Sequence, residues 1–368
     1  MDVIELAQKL IRFNTINPPG NEKEIAEFCG KILSDNNFNV RYYKYKENRV
    51  NVIAEIGVKK NSYPIVLSGH LDVVPLGQKK WSVEPFAGKI IDGKLYGRGS
   101  ADMKGGVAAI ISAAIKSAKT SLPKDGIRII LSASEEDGCK GISHLANSDA
   151  EFGNAGGIIV AEPTNNLPIC AHKGALYMWV KTFGVTAHSS MPEKGINAIY
   201  KAARAITKIE NFNFNVKNDN VLGLPTINVG VIKGGLNLNS VPDSASFSID
   251  IRSTRNINHQ IIVKELQTLL GNDFTIEVLV DKNPVFTDEE NSFVKMVDRI
   301  CNINRNNNEV PKALPYFTDS SVLQEKYKGT PTIIFGPGEP KMAHQTDEYC
   351  KIESLKKAEK DFYKIITE

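Results

Sequence analysis

Apolar residues recur along this chain with two different periods. Residues 1–13 and 22–36 space them at three and four positions, the interval of a helix with one buried face. Residues 38–45 and 51–56 are strand-like. Four later runs are mostly apolar and β-branched, beginning at Ile65, Ile127, Ile158 and Thr332, and each breaks abruptly into His, Asp or Glu or runs on to one. Such runs suit central strands of a parallel sheet, buried on both faces. Helical spacing over 103–117 and about 141–147 falls between them, so the rhythm predicts an α/β fold whose central sheet is mixed and mostly parallel.

The character of the pattern changes after His172. Strands at 175–184, 226–232, 244–252 and 274–280 alternate their faces, with helices at 196–209 and 258–270. Strand-helix-strand-strand-helix-strand is the split βαβ, ferredoxin-like order. The chain then returns to helix at 290–303 and to the strand at Thr332. The expected organisation is one discontinuous domain (1–173 and 285–368) carrying an α+β insert at 174–284.

At 368 residues the chain exceeds the usual size of a single core, in keeping with two domains. A net charge of +3, without a basic stripe or block, gives no support for nucleic-acid binding. The longest helical apolar stretch, 107–115, is far short of the ~20 residues needed to cross a bilayer. The start of the chain lacks the layout of a signal peptide. Five scattered cysteines without a C-x-x-C pair suit reduced thiols. The expectation is a cytoplasmic protein with no nucleic-acid or membrane partner.

Ligands gather beyond the carboxyl ends of strands in such sheets. There the chain places His70-Leu71-Asp72, Glu135-Glu136, Glu162-Pro163 and, after a Gly336-Pro337-Gly338 turn, His344. Two His and several carboxylates at one sheet edge amount to a divalent-metal site. The H-x-D spacing lets Asp72 accept a hydrogen bond from the His70 ring, which fixes the tautomer of a metal-binding His. Asp102 follows Gly97-Arg98-Gly99, where the backbone turns tightly, and could equally cap the next helix. Neighbours in extended chain point to opposite sides, so one of Glu135 and Glu136 can face metal and the other the reacting water. Local chemistry does not separate the two.

Together G-H-x-D-x-V-P, Y-G-R-G-x-x-D-M-K-G, S-x-x-E-E, E-P-T and G-P-G…A-H-Q-x-D-E-Y resemble the signatures of one family. It is the di-zinc metallopeptidase family of acetylornithine deacetylase, succinyl-diaminopimelate desuccinylase and aminoacylase. The resemblance runs from Asn17-Pro18-Pro19-Gly20 to beyond Tyr349. It implies a zinc-peptidase-like catalytic domain with the insert as a lid and dimerisation domain. It implies His70, Asp102 and Glu162 on one zinc and Asp102, Glu136 and His344 on the other, with cobalt or manganese also suited to the donors. Two Zn²⁺ against three carboxylates leave +1, and a bridging hydroxide brings the cluster to zero, which a partly buried site tolerates. Glu135 is implied as the base that deprotonates the bridging water, and Asp72 is counted with it among the catalytic residues.

In the insert, His188 resembles the family's oxyanion donor, and Asn239 and Arg252 its substrate contacts; Gly336 and Gly338 line the substrate in the same pattern. Without the resemblance, Arg252 is a charge at a strand end and His188 a cap beside Ser189 and Ser190. The implied activity removes an acetyl or succinyl group from an amino acid such as N-acetylornithine or N-succinyl-diaminopimelate, in a homodimer formed through the insert. A dipeptidase or carboxypeptidase on the same scaffold is the rival, and a non-catalytic binding protein a remoter one. A G-x-S-x-G elbow and an H-E-x-x-H string are both absent from the sequence.

Overall fold

The computed structural model describes residues 2–307 and 310–368; Met1, where the first helix was expected to start, lies outside them. The chain forms two compact units, one of residues 1–171, 285–312 and 318–368, the other of 172–284 and 313–317.

The first unit is built on a six-stranded sheet. Its order is Asn39–Lys46, Arg49–Ile56, Ile127–Ser132, Ile65–His70, Gly157–Val160, Thr332–Ile334. The last four run parallel and the first two form an antiparallel hairpin at one edge, giving the mixed sheet that the apolar runs predicted. The Ile127–Ser132 and Gly157–Val160 strands are buried along their whole length. They flank the His70 strand on either side, so their carboxyl ends lie next to His70. Helix Lys104–Thr120 is buried on nearly all sides, and its Ala-Gly-rich start permits close approach: a Cβ at Gly106 would stand 2.1 Å from the Ala161 carbonyl oxygen.

Several elements of this unit went unforeseen, among them helix Ser320–Lys326 and strand Val285–Phe286. Helix Ile352–Thr367 buries Leu355, Ala358, Phe362, Ile365 and Ile366, a helical spacing the sequence does carry. A small sheet joins Tyr349–Lys351 to Lys94–Tyr96 and Lys89–Ile91, with Tyr349 opposite Tyr96. That pairing brings the chain just after His344 alongside the turn that carries Asp102.

The second unit has the ferredoxin-like sheet order: Thr226–Asn228, Ser244–Ser253, Gly174–Phe183, Phe274–Lys282, with helices Ala198–Glu210 and His259–Leu270. The expected strand over 226–232 is two short ones, the second being Ile232–Gly234, and both pair with Ser244–Ser253. Residues 313–317 join this unit because the Lys173 N–H bonds the Leu314 carbonyl at 3.0 Å and Phe317 packs edge-on against Tyr177. Nothing in the local sequence of this five-residue excursion marked it.

Candidate metal centre

His70 is the last residue of its strand and is buried. Its Nε2 lies 3.1 Å from Asp102 Oδ1 and 3.8 Å from Glu162 Oε1, in the loop after the neighbouring strand. The other Asp102 oxygen, Oδ2, stands 3.4 Å from His344 Nε2, which is itself 3.1 Å from Glu136 Oε2. The result is two three-residue groups, His70–Asp102–Glu162 and Asp102–Glu136–His344, with Asp102 common to both. Within each group the potential ligand atoms lie within 4.8 Å of one another. One group is buried, while the other opens to solvent at His344, whose side chain is 53% exposed.

The Asp72 expectation needs a correction. The His70 Nδ1 partner is the Asp72 main-chain carbonyl, at 3.0 Å; the carboxylate is 3.6 Å away. A residue two positions on in a turning chain presents its carbonyl to the ring more readily than its side chain. The freed carboxylate accepts instead from the backbone N–H groups of Glu135 (3.0 Å) and Glu136 (3.2 Å) and from Asn17 Nδ2 (2.8 Å). Asp72 thus holds both the His70 tautomer and the Glu pair. Behind it, Asn17 accepts from Arg49, and Arg49 forms a buried ion pair with Glu22 at 2.5 Å.

Glu348, which the sequence did not single out, does comparable work on the opposite side. Its buried carboxylate accepts from Arg98 Nη1 (2.6 Å) and from the N–H groups of Gly99 (3.0 Å), Ala101 (2.8 Å) and Asp102 (3.0 Å). Arg98 also donates to the carbonyls of Gln345 and Pro75. The turn bearing Asp102 is therefore folded around a carboxylate four residues from His344. Glu348→Gln leaves the buried Arg98 without its countercharge, a loss of about 3–5 kcal/mol. We expect a lowered denaturant midpoint together with weaker metal retention; an unchanged midpoint would mean that the turn holds without Glu348.

Electrostatics mark the cluster as a cation site. Burial pushes the carboxyls of Glu135 and Glu162 well above the usual range, and Glu136 up to about 7, with neighbouring carboxylates adding to the effect. Asp102 goes the other way: against its burial, the bonds to His344 and His70 hold its carboxyl below the usual range. His344 is raised to about 10 by its bonds to Asp102 and Glu136. His70 is raised despite burial, through Asp102, Glu162 and Glu135. Glu136 Oε1 is buried with no hydrogen-bond partner. Three carboxylates and two imidazoles with an orphaned acceptor, and no thiolate among them, fit hard or borderline divalent cations.

Glu135 belongs to neither His-containing group. It is buried, and its Oε1 accepts from the Cys139 thiol at 3.4 Å. The remaining expected residues fall elsewhere. The Gly336 N–H bonds Thr164 Oγ1 and its carbonyl accepts from Asn166, so its polar groups are spent within the turn rather than offered to a ligand. A Cβ at Gly336 would stand 2.5 Å from the Glu162 carbonyl, and one at Gly338 2.5 Å from the Ala101 carbonyl. Both glycines let this turn close on the loops bearing Glu162 and Asp102. In the second unit, His188 and Asn239 are exposed. His188 Nδ1 meets both the Oγ (2.7 Å) and the N–H (3.2 Å) of Ser190. Arg252 pairs with Asp250 at 2.9 Å and stacks on Tyr177 and Phe317.

Comparison with known proteins places the chain in a family. Residues 66–368 match the profile of peptidase family M20/M25/M40. A Staphylococcus epidermidis protein named a probable succinyl-diaminopimelate desuccinylase is 30% identical, covering 95% of this chain and 93% of its own length. An acetylornithine deacetylase of Buchnera aphidicola is also 30% identical over the same shares. An M20 family metallo-carboxypeptidase of Sulfolobus solfataricus shares the fold, with a TM-score of 0.82 at 18% identity over 100% of this chain and 99% of its own. The chain belongs to peptidase family M20/M25/M40 and is an enzyme that hydrolyses amide bonds.

Proposed function

We propose that the enzyme removes an N-acyl group, acetyl or succinyl, from an amino acid such as N-acetylornithine or N-succinyl-diaminopimelate. The observation that carries this reading is the pair of three-residue groups sharing Asp102, with the buried Glu135 beside them and outside both. The names of the two 30%-identical relatives support the substrate class. In this reading His70, Asp102 and Glu162 hold one divalent ion, and Asp102, Glu136 and His344 a second. Zinc is the preferred ion for these donors, with cobalt or manganese as substitutes. When bound, the two ions polarise the scissile carbonyl and make the attacking water acidic.

Glu135 takes the proton of that water on a carboxylate oxygen and delivers it to the leaving nitrogen, so that one group serves as base and then acid. Asp72 keeps the Glu135 backbone in place through the bond to its N–H. His188 donates from Nε2 to the carbonyl oxygen as negative charge develops there, an interaction worth roughly 3 kcal/mol where one such donor is removed. Arg252 grips the substrate α-carboxylate with its planar fork, and Asn239 and Gly338 complete the substrate contacts. The assembly is a homodimer through the insert, and the compartment is the cytoplasm. All five cysteines are buried and none forms a disulfide, and no helix of the described residues is long and apolar enough to cross a membrane.

The test is a substrate panel after metal stripping and reloading with zinc or cobalt. An N-acyl amino acid should exceed simple dipeptides in kcat/KM by roughly 10-fold or more. Chelation should abolish the activity. Preference for dipeptides would move the enzyme to the peptidase reading, and silence toward every amide under both metals would overturn hydrolysis.

A further inference from the structure

Behind Glu135 lies a second buried group that the reaction described above leaves unused. Asp319 precedes helix Ser320–Lys326 and is 1% exposed. It accepts from Ser132 Oγ, the last residue of the strand that leads to Glu135. Cys139 stands between the two acids. Its thiol donates to Glu135 Oε1 at 3.4 Å and also contacts the Asp319 carboxylate. One potential ligand atom from each of Glu135, Cys139 and Asp319 lies within 4.8 Å of the other two.

The backbone that carries the thiol is fixed. Cys139 has a left-handed backbone, φ 55°, and its N–H bonds the Glu135 carbonyl at 2.8 Å. Its own carbonyl accepts both the N–H (3.0 Å) and the hydroxyl (2.6 Å) of Ser143 in the following helix. Among the described residues the Cys139 thiol is the hydrogen-bond donor to the Glu135 carboxylate. A general base must keep one oxygen within reach of the proton it abstracts.

We propose that Cys139 and Asp319 are positioning residues for Glu135: Ser132 anchors Asp319, Asp319 and the helix entry fix the thiol, and the thiol tethers Oε1, leaving Oε2 as the oxygen that exchanges the proton. This rests on the reading of Glu135 as the base. Neither residue belongs to a His-containing ligand group, so their effect falls on turnover and not on metal or substrate binding.

The experiment uses Asp319→Asn, Cys139→Ala and Cys139→Ser in the metal-loaded enzyme, with Glu135→Gln alongside. The readouts are kcat, KM, bound metal and the absorption spectrum of the cobalt form. Asp319→Asn and Cys139→Ala should each lower kcat roughly 10-fold or more, as a displaced catalytic group does. KM, metal content and the cobalt spectrum should stay as in the parent. Cys139→Ser keeps a donor and should recover most of the loss seen in Cys139→Ala. Full kcat in both Asp319→Asn and Cys139→Ala, with Glu135→Gln inactive, overturns the positioning role and leaves the base assignment standing. An active Glu135→Gln overturns the base assignment itself. Equal losses in the Ser and Ala variants, accompanied by lost metal, would reduce Cys139 to a structural residue. Should Asp319→Asn fail to fold, the two Cys139 variants decide the question alone.

Discussion

Glu135→Gln is expected to lower kcat by about 10²–10⁴-fold while binding two metal equivalents per chain as the parent does. The reasoning is local. Gln keeps the shape of the side chain and an oxygen for the Cys139 thiol, and the backbone N–H still bonds Asp72. What it loses is the capacity to take a proton. Because Glu135 lies outside both His-containing groups, the metals should not notice the change. Glu136→Gln makes the contrast: it alters a residue 3.1 Å from His344 and should weaken metal binding as well as turnover. Kinetics paired with elemental analysis separate the two carboxylates, which sequence logic alone could not. Hydrolysis by Glu135→Gln within a fewfold of the parent would remove Glu135 from proton transfer.

The central strands were legible in the sequence for a physical reason. A strand buried on both faces has few polar positions to break its apolar run, the buried Arg128 paired with Glu55 being one, so the runs at Ile65, Ile127, Ile158 and Thr332 stood out. Where each run ended in an acid or a His, the parallel topology placed those ends at one edge, and the grouping followed. The supports behind the site were not legible. Asp72 reaches Glu135 across 63 positions, Glu348 reaches Asp102 across 246, and Ser132 reaches Asp319 across 187. A lone Glu or Asp before a helix looks the same whether it caps, solvates or anchors a loop. Only the fold shows which backbone groups have come to rest against it. The same holds for Gly336, whose type was legible as a tight turn while the destination of its N–H was not.

Asp102→Ala should cost both metal ions, where Glu162→Ala and His344→Ala should each cost one. Among the described residues Asp102 is the single side chain with one oxygen toward His70 and the other toward His344, so its substitution empties both groups at once. Losing even an outer-shell partner lowers metal affinity about 10–100-fold, and a ligand shared by two ions costs more at each. Activity should fall to background. Unfolding can be told apart from metal loss. In the metal-free protein the bonds to His344 and His70 hold the Asp102 carboxyl below its usual range, so removing it costs native stability, which the Tm of the metal-free variant reads directly. The rise in Tm that zinc gives the parent should vanish in the variant, since that rise reports binding to the native state. The parent's affinity should also climb with pH. Glu136, raised to about 7, and His344, raised to about 10, hold protons at neutral pH in the metal-free state and must release them to ligate. Calorimetry in buffers of different ionisation enthalpy would register that release, and its absence would mean that these two residues do not meet the metal. Two equivalents of zinc retained by Asp102→Ala would dismantle the shared-carboxylate arrangement altogether.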